Sequence, residues 1–329
     1  MLSRVRTGEI AVDKNVSLAR YVEDWLVDRA GLRRRESTVR EYERCLVSYV
    51  LPSIGGVRLA ALNTPMVESL FDRLAEAGLS HNSIRNVKKA LSACMSDAVA
   101  SRVLSTNLVR HARLPENARP PKPIVVPTST EVRDLLESTQ GTALGRLLVL
   151  LVSTGARVGE GLATKWSDLD LDAGTWVLAQ TLTVNRAGQT VIGRRTKTGR
   201  VRSIRLTPAA VQALREQRVE IAANRLAALA WEDNDLVFPT AIGTVSDPHN
   251  KRRELKNHAR KVGYETSFHG LRHYAATVAM ANVSSTQVQQ LLGHASHRTT
   301  TDVYGHLLQG PQETAANAIA ESLGMQGFV

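Results

Sequence analysis

A proline-rich segment near position 120 constrains the fold of this chain more than any other feature. It contains five prolines: Pro115, Pro120, Pro121, Pro123 and Pro127. Proline fixes φ and removes an amide donor, so such a stretch is extended and semi-rigid rather than helical. A chain of 329 residues is also long enough for two hydrophobic cores. We therefore predict two domains, residues 1–114 and 128–310, joined by a linker at 115–127.

The first domain has the apolar spacing of α-helices. Ile84, Val87 and Leu91 recur three and four residues apart, so they are expected to face a core. Ser80 is expected to cap this helix at its start, and Thr38 to open an earlier helix as one half of a capping box. The sequence predicts an all-α bundle over residues 1–114.

The second domain combines helices with a small sheet. Thr128 is expected to cap a helix, and the apolar stretch 147–152 is typical of a buried helical segment. Strand-type composition occurs at 175–184, 189–195 and 201–206, with turn residues between them. This pattern predicts a mainly α domain with a small antiparallel β-sheet, an α+β arrangement. Lys197 is then expected at the tip of the second hairpin.

Six residues in the C-terminal half have the chemistry that a phosphodiester needs, in the order Arg157, Lys197, His269, Arg272, His294, Tyr304. An arginine guanidinium matches two non-bridging phosphate oxygens, so Arg157 and Arg272 are expected to clamp the phosphate. A tyrosine hydroxyl has a pKa of about 10 and attacks at neutral pH only when a base such as histidine takes its proton. Lys197 is a candidate donor to the departing oxygen. Tyr274, two residues past Arg272, is the rival nucleophile.

Other chemistries have no motif in the chain. H-E-x-x-H, C-x-x-C and a paired acidic triad are absent, so we expect no metal, and no G-x-x-x-x-G-K-[ST] suggests ATP. No other cofactor is expected. The two cysteines, Cys45 and Cys94, allow no disulfide framework. Without a signal peptide or an apolar stretch long enough to span a bilayer, we expect a cytoplasmic, nucleoid-associated protein with no membrane partner.

The contexts of the six residues resemble the tyrosine recombinases, the phage-integrase family. These contexts are T-G-x-R-x-x-E, H-x-L-R-H and L-G-H-x(9)-Y, and the resemblance covers roughly residues 125–310. It implies that Tyr304 attacks the scissile phosphate, forms a 3′-phosphotyrosine and releases a 5′-hydroxyl, with strand exchange through a Holliday junction. It also implies double-stranded attachment sites, a homotetramer on two DNA duplexes, and a directionality factor as a candidate partner.

The resemblance leaves several points open. A phage or element integrase is the first reading, with a Xer-type chromosome-dimer resolvase, a type IB topoisomerase and a catalytically idle DNA-binding regulator as alternatives. About fifteen residues precede the first helix, too few for the arm-binding domain of many integrases. The tail 311–329 has apolar residues at helical spacing. We expect it to reach a neighbouring protomer; the alternative is a helix docked on its own domain.

The charge favours a polyanionic partner. The formal net charge is +11 and the isoelectric point is near 10.0, which fits DNA but also simple solubility. Basic clusters beside the predicted helices and hairpin are the candidate DNA contacts: Arg85, Lys88, Lys89, Arg194, Arg195, Arg200, Arg202, Lys251, Arg252 and Arg253.

Overall fold

The computed structural model describes residues 16–30, 34–120, 125–185, 187–193, 201–281, 284 and 287–288. By their internal contacts the residues form two compact units. The first unit is Met1–Pro123 with Val184–Gln189, and the second is Ile124–Thr183 with Thr190–Val329. Each unit has its own hydrophobic core. The described chain is mostly helical with small antiparallel sheets, as predicted.

The first unit is built from helices, with the apolar side chains of each turned toward one core. The predicted core positions Ile84, Val87 and Leu91 are fully buried, which confirms the helical spacing. Two π-helical turns, Leu26–Ala30 and Leu46–Val50, continue the first two helices. The α-helices are α1 Leu18–Trp25, α2 Glu36–Cys45, α3 Leu51–Ile54, α4 Thr64–Glu76 and α5 His81–Ala100.

One of the two predicted helix starts in this unit is correct. The Ser80 side chain accepts a hydrogen bond from the Ser83 amide at 3.3 Å, so it caps α5 as expected. The prediction for Thr38 was wrong, because α2 begins at Glu36 and its N-cap is Arg35. The Thr38 amide donates to the Arg35 carbonyl at 2.9 Å. Thr38 therefore lies inside the first turn.

The first half of the predicted linker packs against the first unit. Ala118 is buried in that unit's core. Arg119 forms a β-bridge with Ser80, and its carbonyl accepts the His81 amide at 2.9 Å. These residues are thus held to the helical core instead of running separately as an extended linker.

The second unit is arranged around the helix Ala143–Thr154. Its side chains Leu147, Leu148 and Leu151 are buried, as the apolar stretch predicted. Thr128 and Glu131 form the predicted capping box, with the Thr128 amide donating to the Glu131 carboxylate at 2.7 Å. The helices are α6 Ser129–Ser138, α7 Ala143–Thr154, α8 Val158–Leu162, α9 Pro208–Ala227, α10 Pro248–Lys261 and α11 Phe268–Met280. Helix α7 packs against each of the other five.

The strands of this unit form two sheets. They are β1 Leu169–Asp170, β2 Thr175–Leu178, β3 Thr181–Val184, β4 Thr190–Gly193 and β5 Arg202–Arg205. Strand β2 pairs antiparallel with β1 on one side and β5 on the other, while β3 pairs with β4.

Two strand predictions were therefore wrong. The expected strand 175–184 is two strands, because the chain leaves the first sheet after Leu178 and enters the second at Thr181. The segment carrying Lys197 joins β4 to β5, which lie in different sheets, so those two strands do not form the predicted hairpin. Among the described helices, none has the length and apolar character needed to span a bilayer.

Candidate active site

A tight turn between α7 and α8 positions Arg157. Helix α7 ends at Gly155, whose φ of 63° is left-handed and favours glycine. Arg157 follows as the N-cap of α8, with an extended backbone at φ −75° and ψ 146°. Its side chain is 41% exposed, so the guanidinium can reach a ligand in solvent.

A buried carboxylate holds this arginine by hydrogen bonds. Glu160 lies one turn into α8 and is 2% exposed. It accepts the backbone amide of Arg157 at 2.8 Å and the Arg157 guanidinium at 3.1 Å. Through these two contacts Glu160 holds Arg157 in place. Burial alone would raise the pKa of Glu160, but the charge and hydrogen bonds of Arg202 and the Arg157 amide lower it below its ordinary value.

The second predicted arginine reaches the same turn from a distant part of the chain. Arg272 lies in the first turns of α11 and is 5% exposed. Its guanidinium donates to the carbonyl of Gly155 at 2.5 Å. A cation at the C-terminal end of α7 is favoured by the unpaired carbonyls there. Arg272 is thereby anchored two residues before Arg157.

Two histidines of α11 contact each other beside the arginines. His269 and His273 are four residues apart on one helical face. Their Nε2 atoms are 3.0 Å apart, with the rings edge to face. Burial, with the neighbouring charges of Arg272 and Arg157, lowers the pKa of His269. Burial, with the neighbouring charges of His269 and Arg272, lowers the pKa of His273 to about 4.

The described part of the candidate site is therefore one electrostatically coupled group. It contains three of the six predicted catalytic residues, because the charges of Arg272 and Arg157 both act on His269. Two guanidinium groups can hold an anion, and a neutral imidazole beside them can accept a proton. Lys197, His294 and Tyr304 lie outside the described residues. Tyr274, the rival nucleophile, donates its hydroxyl to Ser129 at 3.2 Å.

The described residues offer no cluster of side chains that could ligate a metal ion. Across residues 16–288, where they are described, no group of three or more His, Cys, Asp or Glu side chains is placed to hold an ion.

The predicted DNA contacts differ in how far they are open to solvent. Arg85 and Lys89 on α5 and Arg252 and Arg253 on α10 are exposed. Lys88 instead donates its ammonium to the Ala112 carbonyl at 2.5 Å. Lys251 pairs with Glu254 at 2.9 Å. Arg194, Arg195 and Arg200 lie outside the described residues.

Arg202, another of the predicted DNA contacts, is paired with a carboxylate inside the second unit. Its side chain is 12% exposed, and its guanidinium donates to both carboxylate oxygens of Glu160, at 2.9 and 3.3 Å. The sequence reading missed this pairing because the two residues are 42 positions apart. The sequence offers one signal for it: an acidic residue, Glu160, follows Arg157, and a predicted strand with several basic residues lies downstream.

Comparison with known proteins places this chain in a family. The family model described as the phage integrase family matches residues 127–310, more than half of the chain. A "Tyrosine recombinase XerC-like" protein of Caldanaerobacter subterraneus subsp. tengcongensis is 23% identical over 97% of this chain and 86% of its own. An "Integrase" of Streptomyces ambofaciens is 26% identical over 91% of this chain and 79% of its own.

Solved structures share the fold. The integrase of transposon Tn1549, in complex with transposon right end DNA, superposes with a TM-score of 0.74 at 20% identity, covering 94% of this chain and all of its own. A lambda integrase tetramer bound to a Holliday junction gives a TM-score of 0.69 at 18% identity, covering 91% of this chain and 80% of its own.

Proposed function

The chain belongs to the phage integrase family of tyrosine recombinases, and we propose that it cuts and rejoins DNA at attachment sites through a 3′-phosphotyrosine on Tyr304. The observation that carries the proposal is the convergence of three residues: Arg272 bonds to Gly155, two residues before Arg157, and His269 lies one turn before Arg272 on α11. These are three of the six positions that match the family's motif. The proposed cellular role is integration or excision of a phage or another mobile element.

The proposed chemistry assigns one task to each side chain. Arg157 and Arg272 hold the non-bridging oxygens while negative charge accumulates on them. The lowered pKa of His269 keeps its imidazole neutral at neutral pH, so it can accept the Tyr304 proton. As the tyrosyl oxygen bonds to phosphorus, the bond to the 5′-oxygen breaks and Lys197 protonates that oxygen. His294 donates a hydrogen bond to the same phosphate.

Rejoining reverses these steps with a different strand. The 5′-hydroxyl of the partner strand attacks the phosphotyrosine, and the phenol takes back its proton. One phosphate ester replaces a similar one, so no external energy source is needed. No step is assigned to a metal ion, so cleavage is expected to proceed at an unchanged rate in EDTA, and a strict requirement for added Mg²⁺ would contradict the proposal.

The decisive test replaces the proposed nucleophile. Tyr304→Phe should abolish the covalent protein–DNA complex on a nicked suicide substrate, because the hydroxyl forms the bond. Site binding should persist, since affinity comes from many backbone contacts. Tyr274→Phe is the matched control and should cleave like the wild type. A covalent complex formed by Tyr304→Phe, together with its loss in Tyr274→Phe, would reverse the assignment.

The proposed assembly is a tetramer on two duplexes, in which the tail 311–329 reaches a neighbouring subunit. Head-to-tail contacts of this kind close into a ring. Deleting 311–329 should leave binding to a single site but abolish the two-duplex complex on a native gel. If the truncated protein assembles and recombines normally, the tail is a local cap. A Holliday-junction intermediate in the same assay distinguishes a recombinase from a type IB topoisomerase.

A chromosome-dimer resolvase is the second candidate, favoured by the XerC-like relative that matches nearly the whole chain. The two roles predict different phenotypes for a strain that lacks the gene. Accumulated chromosome dimers would support the resolvase, and a mobile element that no longer excises would support the integrase.

A further inference from the structure

Two arginines share the buried carboxylate of Glu160. Arg157 contacts it through its backbone amide and one guanidinium nitrogen, at 2.8 and 3.1 Å. Arg202, the first residue of β5, contacts it through two guanidinium nitrogens, at 2.9 and 3.3 Å. A carboxylate that is 2% exposed needs such partners, because burying an unpaired charge is costly.

The two arginines differ in what else they can reach. The Arg202 side chain is 12% exposed, whereas that of Arg157 is 41% exposed. Arg202 therefore faces inward, with both terminal nitrogens on the carboxylate. Arg157 contacts the carboxylate through one guanidinium nitrogen, and its partly exposed side chain is open to an anion from solvent.

The charges of the group explain why a second cation is useful. One carboxylate and one arginine would form a neutral pair, and Glu160 would then weaken the pull of Arg157 on a phosphate. With Arg202 added, the three groups carry a net charge of one positive. Burial disfavours the charged form of Glu160. Among the groups that stabilise the charged form, Arg202 has the largest effect.

We propose that Arg202 is a positioning residue: by neutralising Glu160 it leaves the charge of Arg157 available to the scissile phosphate. This inference rests on the proposed DNA cleavage. Arg202 does not touch DNA in this account; it acts through Glu160. The alternative in which Arg202 is itself a phosphate contact requires its guanidinium to leave the buried carboxylate.

The test is a double-mutant cycle on the full-length protein. The rate of covalent complex formation is measured on a saturating nicked duplex for the wild type, Arg202→Met, Glu160→Gln and the double variant. Arg202→Met should slow cleavage by about tenfold or more, because the remaining carboxylate pairs with Arg157 alone. Binding affinity should stay within about threefold, since most contacts to the DNA backbone are untouched.

Glu160→Gln removes the charge but keeps an oxygen that can accept the Arg157 amide. In that background Arg202→Met should change the rate by no more than about threefold, which is a strong departure from additivity. Arg205→Met is the matched control on the same strand, because Arg205 is exposed and donates to the Ala173 carbonyl at 2.8 Å. It should cleave like the wild type.

The pH dependence gives a readout that a purely structural role would not move. Without Arg202 the pKa of Glu160 rises, since burial is then opposed by Arg157 alone. The ratio of wild-type to Arg202→Met rates should therefore shrink as the pH falls from about 8 toward 5.5 and Glu160 becomes protonated. Arg202→Lys keeps the charge but loses the two-nitrogen contact to Glu160, so its rate should lie between those of the wild type and Arg202→Met.

The outcomes separate this inference from the proposed function. If the wild type forms no covalent complex, the proposed function is wrong. If it does and Arg202→Met reacts equally fast, only the role of Arg202 is wrong. If Arg202→Met cleaves slowly and adding Glu160→Gln does not restore the rate, Arg202 does not act by neutralising Glu160. Should Arg202→Met fail to fold, Arg202→Lys and the neutral double variant carry the same comparison.

Discussion

The two units bury different kinds of side chain. In the part of the chain that the structure describes, the helical unit buries one polar residue, Asn107. The second unit buries the charged or titratable side chains of Arg146, Glu160, Arg272 and His273. Three of these four belong to the candidate active site.

The difference shows where each unit obtains its stability. Asn107 is satisfied locally, since its amide nitrogen donates to Ser92 and Ser96 at 2.8–3.1 Å and its oxygen accepts the Val109 amide at 3.1 Å. Most other buried side chains of that core are apolar, and the indole N–H of Trp25 donates to Asp97 at 2.8 Å. The second unit keeps charges whose burial costs free energy unless they are paired. Such costs are typically retained where function needs them.

The largest expected effect tests the apolar unit. Phe71→Ala removes a fully buried ring and should lower the free energy of unfolding of the first unit by about 3–5 kcal/mol. Val27→Ala, at a side chain that is 77% exposed, is the control and should change it by less than about 0.5 kcal/mol. Peptide-resolved hydrogen exchange measures each unit separately. Equal losses in the two variants would contradict the description of this core.

The next effect tests the charged unit. Arg157→Ala and Arg272→Ala should each slow DNA cleavage by ~10²–10³, because charge aimed at a transition state is lost. Arg272→Ala should also destabilise the second unit more than Arg157→Ala does, since Arg272 is buried and bonded to Gly155, whereas Arg157 is partly exposed and Glu160 keeps its contact with Arg202. Cleavage rates on a suicide substrate test the effect on catalysis, and hydrogen exchange tests the effect on stability. Wild-type cleavage in either variant would refute the phosphate clamp.

A smaller effect concerns the stability of the second unit at acidic pH. The pKa of His273 is about 4 in the folded chain, below the value of about 6.5 for an unfolded histidine. The unfolded state therefore binds the proton first, and stability is lost as the pH falls from about 6.5 toward 4. Between pH 6.5 and 5 the second unit should lose on the order of 1 kcal/mol.

The control for this prediction is His273→Asn. His269 and Arg272 face this imidazole and remain in the variant. Asp168, whose pKa is raised by burial, acts with the opposite sign in both proteins. Hydrogen exchange at the two pH values, corrected for intrinsic rates, should show the loss in the wild type and a reduced loss in the variant. An identical loss in both would assign the acid sensitivity elsewhere.

The smallest effect separates two neighbouring lysines of the helical unit. Lys89 is exposed, whereas Lys88 donates to the Ala112 carbonyl. Lys89→Ala should weaken DNA binding by a few-fold and lower the salt slope of log K by about one. Lys88→Ala should leave the slope unchanged and reduce the stability of the first unit. Binding titrations at several salt concentrations decide; equal slope changes would mean that both lysines contact phosphate.

Local features of the fold could be predicted from the sequence, because their causes lie within a few residues. The caps at Ser80 and Thr128 and the buried face of α5 are of this kind. Thr38 failed because the same Ser/Thr-x-x-Glu pattern also occurs inside a helix that begins earlier. A pattern of three or four residues does not specify which turn is the first.

Long-range pairings could not be predicted in this way. Arg202 was read as one of several basic strand residues, and only the fold brings it to Glu160. The strands also changed partners, since β5 pairs with β2 and not with β4. Composition specifies that a segment is a strand, but its neighbour depends on how the whole unit packs.

The bond between Arg272 and Gly155 joins positions 117 residues apart. Contacts of such high sequence separation require closure of a long loop and form late in folding. On the ribosome, the turn that carries Arg157 emerges well before the helix that carries Arg272. A nascent chain therefore has its helical unit made while the proposed phosphate clamp is still half made, so under the proposed function a capacity to bind DNA would precede the capacity to break it.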